Sequence, residues 1–279
     1  MAADVVITEY TDPACPWAFS AEPFRRRLTW IYGAQLEWEV RMVGLSEEGT
    51  SSPFTPQMLS DAYKKISRAH KMPIDTAPRE RVAASVPACR AVVAARLHAP
   101  EKLRPLLRGL RVRNFSGELL DAPTTIDGAA SDAGIDPADL HAWLEDPATQ
   151  AALDEDMAAA RQPAPAARVL DDKLANWSGG RRYTCPSYEI ERRSDGVRIA
   201  VPGFQPFPVY DVITANLVPG LERRAAPSSV EEVLAWTGTP LASQEVAVVM
   251  DIPFDEARER LARVAVERPV GFDGFWTLP

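Results

Sequence analysis

Cysteine and histidine are both scarce in this sequence, three of each among 279 residues, and no two cysteines stand in a C-x-x-C pair or in a cluster with histidine. The spacing excludes a clustered zinc site, so no metal is expected, and three scattered thiols make no disulfide scaffold. In a reducing compartment Cys15, Cys89 and Cys185 each start as free thiols. Long apolar runs are missing too. None approaches the ~18 to 20 residues of a membrane helix, and Met1 to Thr8 has no basic segment followed by an apolar one, so a soluble, cytoplasmic protein with no membrane partner is expected. Positive charge is in deficit, 31 Lys and Arg against 39 Asp and Glu. A net charge of −8 offers phosphate backbones and anionic lipids no broad attraction, and nucleic acid is not an expected partner.

What the chain does have is apolar bulk, 46% of its residues, enough for one elaborated domain or two. Val5 to Tyr10 is β-branched and aromatic and stops at Asp12-Pro13, as a buried strand entering a tight loop does. Trp17, Phe24, Leu28 and Ile31 then share one helical face, closed at Gly33, with Pro23 expected to bend the helix. Leu36 to Val43 alternates apolar and polar residues as a half-buried strand. The opening is β-α-β. From Ser46 to about Leu170, Ala-rich helical periodicity replaces strand signals, punctuated by prolines; Val86 to Leu97 is one such helix, with Arg90 and Arg96 expected on its outer face. Ser187 to Ile190 and Val197 to Val201 flank the turn Arg193-Ser194-Asp195-Gly196 as a hairpin, and a helix follows from about Val209 to Leu217.

The tail predicts short helices at Val230 to Trp236, Ser243 to Met250 and Asp255 to Val266, the last with Ala257, Leu261, Val264 and Ala265 as its buried stripe, and then a Gly-turned hairpin through Val270 to Trp276. Three helices and a hairpin make a winged-helix-like module. From Pro240 onward it carries seven acidic and four basic residues, opposite to the cationic surface that phosphate contacts need. A packing or dimerisation module is expected, with a homodimer as one partner class. The whole order predicts an α/β sheet domain (1–45 and 171–227) around an inserted all-helical domain (46–170), plus the tail module (228–279).

The chemistry-bearing motif is Thr11-Asp12-Pro13-Ala14-Cys15-Pro16-Trp17-Ala18, which puts a cysteine where a strand meets a helix, with Pro16 where its missing N–H costs little. Helix N–H groups and the positive end of the helix dipole favour the thiolate there. Strand, Asp-Pro-Ala-Cys-Pro-Trp, helix, strand, helical insertion and then Thr184-Cys185-Pro186-Ser187-Tyr188-Glu189-Ile190 together resemble the FrnE-like branch of the DsbA family, from about Val5 to Leu221. The resemblance implies an α/β, thioredoxin-like fold for the sheet domain, with Cys15 attacking disulfides and Pro186 as the family's cis-proline shaping a substrate groove with Pro16, Trp17, Ala18 and Thr184. Where that family has a second cysteine this chain has Ala18, so exchange within the motif is excluded.

What remains is a monothiol reaction, with the Cys15 adduct resolved by an external low-molecular-weight thiol, glutathione- or mycothiol-like, or by Cys185. No tightly bound cofactor is expected; the partners are that thiol and a small-molecule or protein disulfide. Kappa-class glutathione transferases and chromene-carboxylate isomerases, with serine in the cysteine's place and a bound thiol cofactor, supply a second reading as transferase or isomerase. A non-catalytic binding or regulatory protein is a third. Cys89, in an Ala-rich apolar stretch, reads as core. Trp17 fits core or substrate contact equally. His98 and His141 read as surface or helix-end residues, while His70 can reach a cleft between domains. Arg104 to Arg113 reads as a solvated helix face, alternatively a site for an acidic thiol tripeptide.

Overall fold

The computed structural model describes residues 3–49 and 52–279. The chain opens with β1 (Val5–Thr11), α1 (Pro16–Ser20), α2 (Glu22–Tyr32) and β2 (Leu36–Met42). Pro23 does not bend a single helix: the break falls at Ala21, and Pro23 sits in the first turn of α2, where a missing N–H is tolerated. Gly33 closes α2 at φ 55°, a left-handed conformation that glycine takes without strain. Seven helices follow: α3 (Pro56–His70), α4 (Val86–His98), α5 (Leu103–Phe115), α6 (Pro123–Asp132), α7 (Pro137–Glu145), α8 (Pro147–Ala160) and α9 (Pro165–Arg168). Five of them begin on a proline, so these prolines mark helix starts.

The chain then makes β3 (Leu174–Trp177), β4 (Gly180–Tyr183), β5 (Ser187–Arg192), β6 (Arg198–Val201) and α10 (Phe207–Leu217). The β3–β4 hairpin was not expected. Its two-residue turn at Ser178-Gly179 is a hairpin signal, but arms of four residues carrying Arg181 and Arg182 hide the alternation. The main sheet has the order β2-β1-β5-β6, with β1 parallel to β2 and antiparallel to β5. As a central strand, β1 is buried on both faces, and its polar Glu9 is enclosed with an ion-pair partner, Arg104.

The helices between β2 and β3 build a core of their own, Ala88, Cys89, Val92, Leu106, Leu110 and Leu153 among it, closed by Val40 and Met42 from the sheet. Within it Arg90 and Arg96 do not face solvent. Arg96 donates to Val40 O at 2.6 Å and pairs with Asp156 at 2.7 Å, and Arg90 donates to Leu144 O. The larger correction concerns α5, whose basic residues are not a solvated face. Arg104 pairs with Glu9 of β1 at 2.5 Å, Arg111 with Glu22 of α2, and Arg108 with Glu245 of the tail at 2.5 Å; Arg108 and Arg111 are fully enclosed. Helix α5 lies between these carboxylates, and charges so buried persist only when paired.

The tail supplies α11 (Val230–Thr237), β7 (Leu241–Ala242), α12 (Ser243–Met250), α13 (Phe254–Val264), β8 (Val266–Val270) and β9 (Asp273–Thr277), with sheet order β7-β9-β8. Its apolar core takes in Trp30 of α2 beside Val233, Leu234, Val246 and Leu261. A further tie is the β8–β9 turn, where a Cβ on Gly271 would meet Ile74 O at 2.5 Å; only glycine allows that approach.

Candidate active site

Local geometry places Cys15 before any catalytic argument is needed. Strand β1 runs out at Thr11, and Asp12 folds the next three residues into a tight turn: Ala14 N donates to Asp12 Oδ1 at 2.8 Å and Cys15 N to Asp12 O at 3.2 Å. Cys15 is therefore the residue immediately before α1, with Pro16 as the first helical position. Across from it the loop between β4 and β5 carries Thr184, Cys185 and Pro186, and the Cys185–Pro186 peptide bond is cis. The Cys15 Sγ lies 3.2 Å from Cys185 O. Both side chains are buried against Tyr10, Ala18 and Tyr183, whose two aromatic rings stack at 4.3 Å.

The electrostatics of the two thiols differ. Cys15 is held below the ordinary thiol range, first by a hydrogen bond from the Cys185 thiol and then by the N–H groups of Ala18 and Trp17, which together outweigh burial and the nearby charge of Asp12. Burial pushes the Cys185 thiol well up, and the neighbouring Cys15 sulfur pushes it further. The two thiols are thus shifted in opposite directions, Cys15 down and Cys185 up. Chemically this sets two thiols of unequal acidity side by side, the more acidic one at the head of α1.

Trp17 is not core: it is 42% exposed. Its ring meets His70 at 4.9 Å and Phe204 at 5.6 Å, and His70 and Phe204 meet at 4.6 Å, forming an aromatic wall beside the nucleophile. Burial lowers the His70 pKa, favouring the neutral ring. Thr184 faces away from the sulfur pair and donates to Lys173 O at 2.9 Å, while Ser187 Oγ donates back to Thr184 O at 2.8 Å and fixes the loop. Phe204, in the loop between β6 and α10, carries no motif that would single it out. Asp12 does, in retrospect, because Asp before Pro is a turn signal.

Other candidates lie elsewhere. Cys89 is fully buried with its pKa pushed well up by burial, and its thiol donates to Asp12 Oδ2 at 3.4 Å. His98 stacks on Trp143 and pairs with Asp146, and His141 pairs with Asp127. Because Arg104, Arg108 and Arg111 already serve internal carboxylates, they offer no anion site beside the thiols. Among the described residues there is no cluster of three His, Cys, Asp or Glu able to hold a metal, and no helix long and apolar enough to cross a membrane.

Against known proteins, residues 6–183 match the model of the DSBA-like thioredoxin domain. The ClpXP adapter protein SpxH of Halalkalibacterium halodurans is 24% identical over an alignment covering 97% of this chain and 87% of that protein. Among solved structures, a candidate protein disulfide isomerase from Nitrosomonas europaea superposes with a TM-score of 0.58 at 18% identity, over 76% of this chain and 98% of its own. The cytosolic disulfide reductase DsbM from Pseudomonas aeruginosa gives 0.55 at 16%, over 76% and 100%. At such identities the structural likeness concerns the fold.

Proposed function

The chain belongs to the DsbA-like thioredoxin family, and from that premise we propose that it is a thiol-disulfide oxidoreductase with Cys15 as nucleophile and Cys185 as resolving thiol. The observation that carries this reading is the meeting of Cys15, at the head of α1, with Cys185 before the cis-proline, the Cys15 Sγ 3.2 Å from Cys185 O. In the proposed cycle the Cys15 thiolate attacks one sulfur of a disulfide R–S–S–R′, forming Cys15–S–S–R and expelling R′S⁻, which takes the Cys185 proton. The Cys185 thiolate then attacks Cys15 Sγ, releases RS⁻ and closes a Cys15–Cys185 disulfide. Two molecules of a low-molecular-weight thiol, glutathione- or mycothiol-like, reduce it and leave as their own disulfide. Ala18 takes no part beyond its N–H, which supports the thiolate.

Pro16, Trp17 and Pro186 line the proposed groove, for a small-molecule or protein disulfide, and Thr184, tied to Lys173 O, supports the loop behind it. A transferase or isomerase working on a bound acidic tripeptide is less well supported, since the arginines of α5 are committed to internal carboxylates. One observation favours a second reading, a non-catalytic adapter: the likeness to SpxH runs over 97% of the chain, tail included. The test is turnover of a generic small disulfide with excess glutathione or mycothiol. Activity lost in Cys15→Ser supports the oxidoreductase; a wild-type protein inert with both thiols refutes it in favour of the adapter.

A further inference from the structure

Asp12 is a titratable group close behind the nucleophile that the proposed cycle does not use, and its surroundings are unusual. Its side chain is completely buried, and both carboxylate oxygens are occupied by donors from three separate parts of the chain. Oδ1 accepts from Ala14 N at 2.8 Å; Oδ2 accepts from Leu45 N at 2.9 Å, Ser85 Oγ at 2.8 Å and the Cys89 thiol at 3.4 Å. Ser85 and Cys89 lie at the start of α4, and Leu45 just beyond β2. Four donors converge on the two oxygens, an arrangement that favours the anion.

We propose that Asp12 is a positioning residue for the Cys15 reaction: it folds the nucleophile's turn through Ala14 N and Cys15 N, ties that turn to the helical layer through Ser85 and Cys89, and sets a buried carboxylate three residues before the sulfur. This rests on the reading of Cys15 as the attacking group. The charge opposes the Cys185 thiol and the α1 N–H groups that favour the thiolate. Other titratable groups facing the pair are Tyr63 from α3, toward Cys15, and Arg182 from β4, toward Cys185; Cys89 from α4 faces Asp12. A nucleophile restrained in this way is a better leaving group's opposite: less thiolate at rest, but a more basic and so more reactive sulfur when it is formed. Burial raises the Asp12 pKa and the four donors oppose that rise, which makes the donors part of the device.

The experiment is the pH profile of iodoacetamide alkylation of Cys15, followed by peptide mass spectrometry in the full chain. Asp12→Asn keeps an acceptor for Ala14 N and removes the charge, so the profile moves to lower pH and the rate near pH 6 rises roughly threefold or more. A folded Asp12→Asn protein with an unchanged profile overturns the proposal and leaves a merely structural aspartate. Because the Asn amide would face donors, Cys89→Ala is the second variant: loss of one donor weakens the anion, and the profile moves the same way by less. If Asp12→Asn does not fold, an unchanged Cys89→Ala profile overturns the proposal. A wild-type Cys15 that titrates as an ordinary thiol contradicts the reading of Cys15 itself and takes this proposal with it.

Discussion

Replacing Glu245 by alanine tests whether the tail is part of the main fold or an appendage to it. The carboxylate is fully buried and serves three donors at once: Arg26 Nε at 2.7 Å, Arg108 Nη2 at 2.5 Å and its own helix start through Ala242 N at 2.8 Å. Without it Arg108 keeps Pro240 O, at 3.0 Å, and the faces of Phe19 and Phe275 but no carboxylate, and Arg26 keeps Glu22 at a distant 4.0 Å. Removing one partner of a buried ion pair costs about 3 to 5 kcal/mol, because a charge stays buried without compensation. Against a total stability of about 5 to 15 kcal/mol that is a large share. Urea unfolding should show the midpoint falling by roughly 1 to 2 M, and Trp30 and Trp236, whose rings meet at 5.1 Å in the tail's core, report it by fluorescence. Adding Arg108→Leu should restore part of the loss, since one stranded charge is then gone. A Glu245→Ala protein within about 1 kcal/mol of wild type would refute the argument that these buried pairs fasten the tail to α2 and α5.

Three further outcomes follow from the same structure. In the folded protein Cys15 is alkylated by iodoacetamide well below pH 8 while Cys89, fully buried, reacts only after unfolding; equal rates would contradict the assignment of Cys15 as the activated thiol. Burial alone would raise the Glu22 pKa, but Arg25, Arg111 and Arg26 outweigh it and hold the carboxyl well below its ordinary value. Its contribution to stability is present above the unfolded value of about 4.3 and lost as pH falls through the depressed folded one, so Glu22→Gln should flatten the acid limb of a stability–pH curve. Finally, the full chain should show no salt-sensitive binding to duplex DNA at submicromolar concentration, because α13 and its flanks pair Arg260 with Glu256 and Arg263 with Glu259; such binding would overturn the charge argument.

Legibility in the sequence followed the range of the interactions. The β-α-β opening was readable because Val5 to Thr11 and the alternation from Leu36 to Met42 are local patterns, and so was the position of Cys15 at the head of a helix. The approach of Cys185 to Cys15, across 170 residues, came only through the family resemblance. The basic face of α5 misled for a related reason: the partners of Arg104, Arg108 and Arg111 lie 95, 137 and 89 residues away, and a charged helix face looks the same in sequence whether water or carboxylates cover it. Trp17 sits at a helix position that fits either core or surface, and the neighbours that decide it, His70 and Phe204, are distant in sequence. Asp12 was visible as a turn former, but not as the meeting point of donors from Leu45, Ser85 and Cys89.

The most direct test of Cys185 as the partner of Cys15 is a disulfide map of the mildly oxidised protein. A disulfide needs Cα atoms about 4.4 to 6.8 Å apart and side chains that point together. After oxidation, blocking of remaining thiols and digestion, mass spectrometry should find a Cys15–Cys185 linked peptide within one chain, with Cys89 reduced and alkylated only after denaturation. A Cys15–Cys15 link between chains, or a Cys15–Cys89 link, with Cys185 still free for alkylation, would contradict it.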